Sequence, residues 1–340
     1  MATPEQLFVP FDRATELLQA DLNSSYLDAF LENAENLVDN GKVRVEDGLP
    51  KPETVAELNK LYQQLDLLHT DRETVRRLLQ LDLLKVIRKD AIQANHQMTP
   101  DTLGIMMAYL IEKIIDRNHP YTIFDPAVGT ANLLTTVMNH LQEAIDQPVQ
   151  GYGIDNDDEL LAVASVSVAL QREPVELFHQ DAIEPLTIPQ SDLAVSDLPV
   201  SDLPVGYYPL DENTKNYQTR AEKGHSYVHH LLIEQSMNYL KPGGFGIFLV
   251  PSNLFQTEET MGFVKWIHSV AHFQGLINLP ADLFKNQAAQ KSILLLQRQG
   301  GGSHQAKQVL LGSFPSVKKR AEFVAFMNQI DAWVAANLKS

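Results

Sequence analysis

The chain has 340 residues, no cysteine and a formal net charge of −16. That length supports a sizeable core in about two domains, and the missing thiols exclude disulfides, thiolate metal sites and attack on a pyrimidine ring by a cysteine. The acidic balance argues against tight autonomous DNA binding, which calls for a basic face; no run is apolar enough to span a membrane and no secretory signal opens the chain, so the cytoplasm is the expected compartment.

Residues 1–95 read as a helical domain. Leu58, Leu61, Leu65 and Leu68, then Val75, Leu78 and Leu79, recur at helical spacing, and 81–87 continues the pattern. Asn40-Gly41 and Gly48-Leu49-Pro50-Lys51-Pro52 mark loops between helices. Such periodicity needs an apolar partner surface, so these helices are expected to pack against the rest of the chain. They carry no catalytic motif and read as a cap or as an interaction module for a protein partner. Arg72, Arg76, Arg77, Lys85, Arg88 and Lys89 form one basic cluster; Lys318, Lys319 and Arg320 form another. Each is either a local groove for DNA or a solvated helix face.

Thr99-Pro100-Asp101 predicts a helix start, with Thr99 as the N-cap, Pro100 at the first helical position and Asp101 at the positive helix end. The apolar run 103–115 carries that helix. Beyond it strands and helices alternate, which predicts a doubly wound α/β sheet. Candidate strands are 122–124, 149–154, 175–179, 193–195, 246–250, 275–279 and 292–296. Only a loop separates the last two, so they should pair antiparallel at one edge. A helical tail follows from about 317 to 338. The expected organisation is a helical domain at 1–95, an α/β domain at 96–315 and a C-terminal helix at 316–340.

The most informative stretch is Phe124-Asp125-Pro126-Ala127-Val128-Gly129-Thr130-Ala131-Asn132, a strand end, a glycine turn and a helix start. Such a turn lets a ligand approach backbone N–H groups. It lacks the second and third glycines of a dinucleotide fingerprint, which argues against a nicotinamide-dependent dehydrogenase. Asp155, with Asn156 after it, ends the second strand, where a carboxylate can accept both hydroxyls of a ribose. Asp157, Asp158 and Glu159 suit helix N-terminal charges. Asp181-Ala182 ends the third strand. After the fourth, the unit Ser-Asp-Leu-Pro-Val occurs twice in tandem, at 196–200 and 201–205, followed by Gly206-Tyr207-Tyr208-Pro209. His225, His229 and His230 lie on one helix, two of them at i, i+4; with no third ligand evident, they are read as no metal site.

The Asp-Pro loop, Asp155, Asp181 and the Asp-Leu-Pro repeat, in that order, resemble the N6-adenine DNA methylases, including the methylase subunits of type I restriction-modification systems. The pattern closely resembles a short stand-alone YtxK-like branch of that family. The resemblance covers about residues 98–300 and implies a seven-stranded Rossmann-like methyltransferase sheet with an antiparallel edge hairpin, binding S-adenosylmethionine. It implies that Thr99, Asp125, Pro126, Ala127, Gly129, Asn132, Asp155, Asn156, Asp181 and Ala182 surround the cofactor. Asp181 would accept from the adenine amino group. The family's catalytic Asn/Asp-Pro-Pro-aromatic motif maps onto Asp202, Leu203 and Pro204, with Tyr207 or Tyr208 as the aromatic; the alternative copy offers Asp197 and Pro199. Asp202 is favoured because the glycine and aromatic pair follow it directly, and because Pro199 suits an irregular loop better than a strand interior. Leu203 replaces the first proline, and Val205 stands in the aromatic slot. The implied activity is methyl transfer to an exocyclic amine, with adenine in DNA as the family's target. The chain after residue 300 is too short for a target-recognition domain. Two other readings therefore stay open: a cofactor-binding regulatory protein with a degenerate catalytic loop, and a methyltransferase acting on a protein or small molecule.

Overall fold

The computed structural model describes residues 2–91, 98–186 and 197–338. Four helices open the chain: α1 Pro4–Leu22, α2 Tyr26–Val38, α3 Pro52–Tyr62 and α4 Arg72–Lys89. Thr3 and Ser25 close capping boxes on α1 and α2, and the Asp71 carboxylate caps α4. The leucine pattern of 58–68 breaks at the end of α3: Leu65 and Leu67 are buried from a turn, and Leu68 is exposed.

The next elements are α5 Asp101–Ile114, β1 Tyr121–Asp125, α6 Asn132–Ala144, β2 Val149–Asp155, α7 Asp158–Gln171 and β3 Val175–His179. After them come β4 Leu198–Asp202, α8 Val228–Tyr239, β5 Phe245–Pro251, α9 Thr260–Val270, β6 Ala271–Asn278, β7 Lys291–Arg298, β8 Leu310–Ser313 and α10 Arg320–Asn337. The sheet has eight strands in the order β3-β2-β1-β4-β5-β7-β6-β8. β7 runs antiparallel to both β5 and β6, as expected for the hairpin. Beyond the seven expected strands, β8 adds a parallel edge to β6; four residues with one glycine give little signal in a sequence.

Strand residues are apolar on both faces, as burial between two helical layers requires. Ile123, Ile247, Leu249 and Ile293 face one core with α5, α6 and α10. Their neighbours Phe124, Phe248, Val250 and Leu294 face the other, with α8 and α9. The N-terminal helices build a third core that includes Val163, Val166 and Leu170 of α7. α7 thus lies between that domain and the sheet, which is why it is apolar nearly all round.

Two expectations are corrected here. The fourth strand is Leu198–Asp202; the stretch 193–195 lies outside the described residues. Pro199 therefore sits inside a strand, not in a loop. It is tolerated where the ladder to β1, which covers Leu198 and Pro199, gives way to the ladder to β5, which begins at Val200. Thr99 is not the N-cap of α5. Pro100 holds that position with no side-chain cap, and the Thr99 hydroxyl is used elsewhere.

Candidate functional site

Chain order reverses between β1 and β4, and a cleft of about 550 Å³ opens over the carboxyl ends of the strands on either side. This is where doubly wound sheets hold ligands. Sheet order places four aspartates in a row: Asp181 after β3, Asp155 at the end of β2, Asp125 at the end of β1 and Asp202 at the end of β4. All four line the cleft, as do Thr99, Pro126, Ala127, Gly129, Asn132, Asn156, Ala182, Leu203 and Pro204.

The turn between β1 and α6 is shaped by two glycines. Gly129 has φ +53°, and a Cβ built there would meet no atom within 4 Å, so that side of the turn is open space in the cleft. At Gly153 of β2 a Cβ would stand 2.7 Å from Val128 Cγ2; its absence lets the turn lie on the strand. Gly129 N–H donates to Asp155 Oδ2 at 2.8 Å, and Asp157 N–H donates to Oδ1 at 3.0 Å. Burial raises the Asp155 carboxyl above its usual value. Asp157 caps α7 through Leu160 N–H at 2.9 Å, the structural role expected of it. Asp125 is 1% exposed, and burial pushes its carboxyl up to about 7.

Asp181 accepts from Ile183 N–H at 2.9 Å and from the Tyr208 hydroxyl at 2.7 Å. Burial, then this bond, push the Tyr208 hydroxyl up to about 12. Tyr208 is thus engaged with the third strand's aspartate, inside the cleft. Tyr207 is not brought to it. That ring is 60% exposed and stacks on Tyr227 at 4.8 Å between centroids.

The two tandem aspartates part company. Asp202 Oδ2 accepts from the Thr99 hydroxyl at 2.8 Å, and Oδ1 pairs with the Lys291 ammonium at the start of β7. Asp197 lies at the opposite end of β4, roughly 16 Å away at ~3.3 Å per residue. It accepts from Thr122 N–H at 3.0 Å and pairs with Lys241 at 2.8 Å and His119 at 3.2 Å. Neither Asp197 nor Pro199 lines the cleft.

Lys291 was missed from sequence, because a lysine at a strand start signals nothing until its partner is known. The basic clusters are largely spent within the chain: Arg72 pairs with Glu173, Arg76 with Glu73 and Asp101, Arg77 with Glu73, and Lys85 with Asp12 and Glu16. Lys318 pairs with Asp282 and Lys319 with Glu322. Among the histidines, His225 lies before α8 rather than on it, and pairs with Asp211 at the surface. His229 and His230 are buried, and burial lowers them to about 4 and about 3. Among the described residues no three metal-ligating side chains converge, and no helix is long and apolar enough to cross a membrane.

The family described as N-6 DNA Methylase matches residues 85–322, and the YtxK N-terminal helical domain matches residues 5–87. The chain belongs to the N-6 DNA methylase family. Bacillus subtilis (strain 168) protein YtxK is 37% identical over 95% of this chain and 94% of its own length. A Listeria monocytogenes structure assigned to the class I S-adenosylmethionine-dependent methyltransferases is 41% identical, with a TM-score of 0.88 over 97% of this chain and 98% of that one. The methyltransferase subunit of a Streptococcus thermophilus type I restriction-modification system is 13% identical, covering 98% of this chain and 94% of that one; its TM-score of 0.68 shows a shared fold. The N-6 DNA methylase domain thus carries a class I methyltransferase sheet, and S-adenosylmethionine is the cofactor that its family and fold imply.

The cleft fits that cofactor. Its volume lies in the range that encloses a small ligand. Its ionisable groups are mainly carboxylates, apart from Lys291 and the Tyr208 hydroxyl. Carboxylates suit a cationic sulfonium and ribose hydroxyls, and would repel the pyrophosphate of a dinucleotide.

Proposed function

We propose that the protein transfers a methyl group from S-adenosylmethionine to an exocyclic amine, in the manner of N6-adenine DNA methylases. The observation that carries the reading is the row of aspartates over β3, β2, β1 and β4, ending in Asp202-Leu203-Pro204. Asp155 accepts the ribose hydroxyls and Asp181 the adenine amine. Gly129 leaves room against the backbone, and Thr99 and Asn132 border the methionine end. When bound, the cofactor supplies an electrophilic methyl group. An exocyclic amine is a poor nucleophile because its lone pair is delocalised into the ring. The Asp202 carboxylate and the Leu203 carbonyl accept its two hydrogens and localise that pair. Alignment supplies most of the rate gain, and the same acceptors stabilise the positive charge that grows on nitrogen. The incoming amine displaces the Lys291 ammonium from Asp202.

DNA is the substrate that the family favours. With a net charge of −16 and most of both basic clusters tied into ion pairs, contact with DNA by this chain alone is weak. Base recognition then falls to a protein partner docking on the N-terminal helices. The Lys291–Asp202 pair gives one specific support to a second reading, a cofactor-binding regulatory protein whose acceptor is held shut.

Labelled methyl transfer to unmethylated DNA, run beside a cell-extract screen, tests both. Asp202-dependent label in DNA supports the first reading. Label only in protein or small molecules moves the substrate class. Cofactor binding without transfer to any fraction supports the second, and no cofactor binding overturns both.

A further inference from the structure

We infer that Arg76, on α4 of the N-terminal helical domain, is a positioning residue for the methionine end of the cofactor site; this rests on the cofactor reading above. Arg76 is 2% exposed although it belongs to a surface domain, and it reaches across to the α/β domain. Its guanidinium donates to Asp101 Oδ1 at 2.6 Å and Oδ2 at 2.9 Å, a two-point hold on the first residue of α5. It also donates to Asn132 Oδ1 at 2.9 Å, at the start of α6. Glu73, one turn back on α4, grips the other edge of the guanidinium at 2.8 Å.

The bond to Oδ1 orients the Asn132 amide. Its Nδ2 donates to the Thr99 carbonyl at 2.7 Å and, more weakly, to Asp101 Oδ1 at 3.3 Å. The Thr99 hydroxyl in turn donates to Asp202. An unbroken chain therefore runs from Glu73 through Arg76, Asn132 and Thr99 to the carboxylate at the end of β4. Thr99 and Asn132 line the cleft; Arg76 and Asp101 do not, so Arg76 acts only through its partners. The chain ends on the β1–β4 side. The acceptors for ribose and adenine, Asp155 and Asp181, lie over β2 and β3 and receive nothing from it. Through Arg76 the helical domain thus orders the β1–β4 end of the cofactor site; on the β2 side it packs against α7 through apolar side chains. By linkage, a ligand that engages that end also tightens the seating of the domain.

The test is calorimetry of the full chain with two neutral ligands, S-adenosylhomocysteine and 5′-methylthioadenosine, which differ in the amino-acid arm. Arg76→Met should weaken S-adenosylhomocysteine about tenfold, the size of a lost orienting hydrogen bond, and change methylthioadenosine by less than about twofold. Arg76→Lys keeps the charge but loses the fork, and should fall between. Equal loss for both ligands, or no loss for either, overturns the inference. If Arg76→Met does not fold, Arg76→Lys and Asp101→Asn decide by the same selectivity. Wild-type protein that binds neither ligand refutes the cofactor reading instead.

Discussion

The two copies of Ser-Asp-Leu-Pro-Val have one sequence and two structures. The first supplies most of a central strand: Asp197, Leu198, Pro199 and Val200 are all buried. The second turns out of the sheet: Leu203 is buried, but Pro204 is exposed and Val205 is 63% exposed. Asp197, at the amino end of β4, is paired with Lys241 and hydrogen-bonded to His119 and a backbone N–H. Asp202, at the carboxyl end, opens on the cleft. An aspartate's role here is set by which end of the strand it occupies, because the ligand cleft forms only over the carboxyl ends.

The sharpest way to break this contrast is to remove each aspartate in turn. Asp202→Ala should abolish methyl transfer, by roughly 10²-fold or more as for other lost transition-state contacts. Asp202→Asn, which keeps an acceptor oxygen, should retain part of it. Asp197→Ala should leave most transfer intact but lower stability by about 1–3 kcal/mol, since it removes a buried carboxylate that holds Lys241 and the Thr122 N–H. Labelled transfer and denaturant unfolding separate the two effects, and the reverse pattern would move the active end to the first copy.

A second test uses pH. Asp125 shares the carboxyl end with Asp155 and Asp202, and its carboxyl is pushed up to about 7 by burial, above the unfolded value of roughly 4. The folded state then holds a proton that the unfolded state releases. The stability this gives is complete below about pH 4 and is lost as pH rises through 7. Asp125→Asn should remove a share of that loss, of order a few kcal/mol. Asp82, buried in the N-terminal domain and also at about 7, keeps its own share. Unfolding free energies at pH 5 and pH 8 measure the difference; an unchanged slope would show that Asp125 is ionised throughout.

Asp155→Ala removes the acceptor proposed for the ribose and should weaken S-adenosylmethionine about ten- to a hundredfold. Unchanged affinity by calorimetry would detach β2 from the cofactor. The smallest effect is expected at Lys291. Replacing it with methionine removes a like charge from the neighbourhood of the sulfonium and frees Asp202 to face it. Affinity for S-adenosylmethionine should rise a few-fold, while that for the neutral S-adenosylhomocysteine should not.

The α/β class could be read before any coordinates, because strands buried on both faces are continuous apolar runs and the helices between them have their own period. The turn at Gly129 and the acidic ends of β2 and β3 were equally visible, since each is a local pattern of a few residues. The fourth strand was not. A tandem repeat offers two frames with the same local chemistry, and placing the strand at 193–195 put Pro199 in a loop. Thr99 misled for a related reason: threonine before Pro-Asp has the composition of a helix cap, yet its hydroxyl goes to a residue more than a hundred positions away.

The sequence by itself determined what short-range order can determine: apolar period, turn glycines, acidic strand ends and the helical character of the first ninety residues. Only the tertiary structure decided which Asp-Leu-Pro faces the cleft, that Lys291 meets Asp202, and that Arg76 is spent on Asp101 and Asn132 rather than on solvent or nucleic acid. The physical reason is that each of these depends on a pairing between distant segments. Whether a charge is solvated, neutralised or left to act depends on which partner the fold brings to it, and local sequence carries no record of that partner.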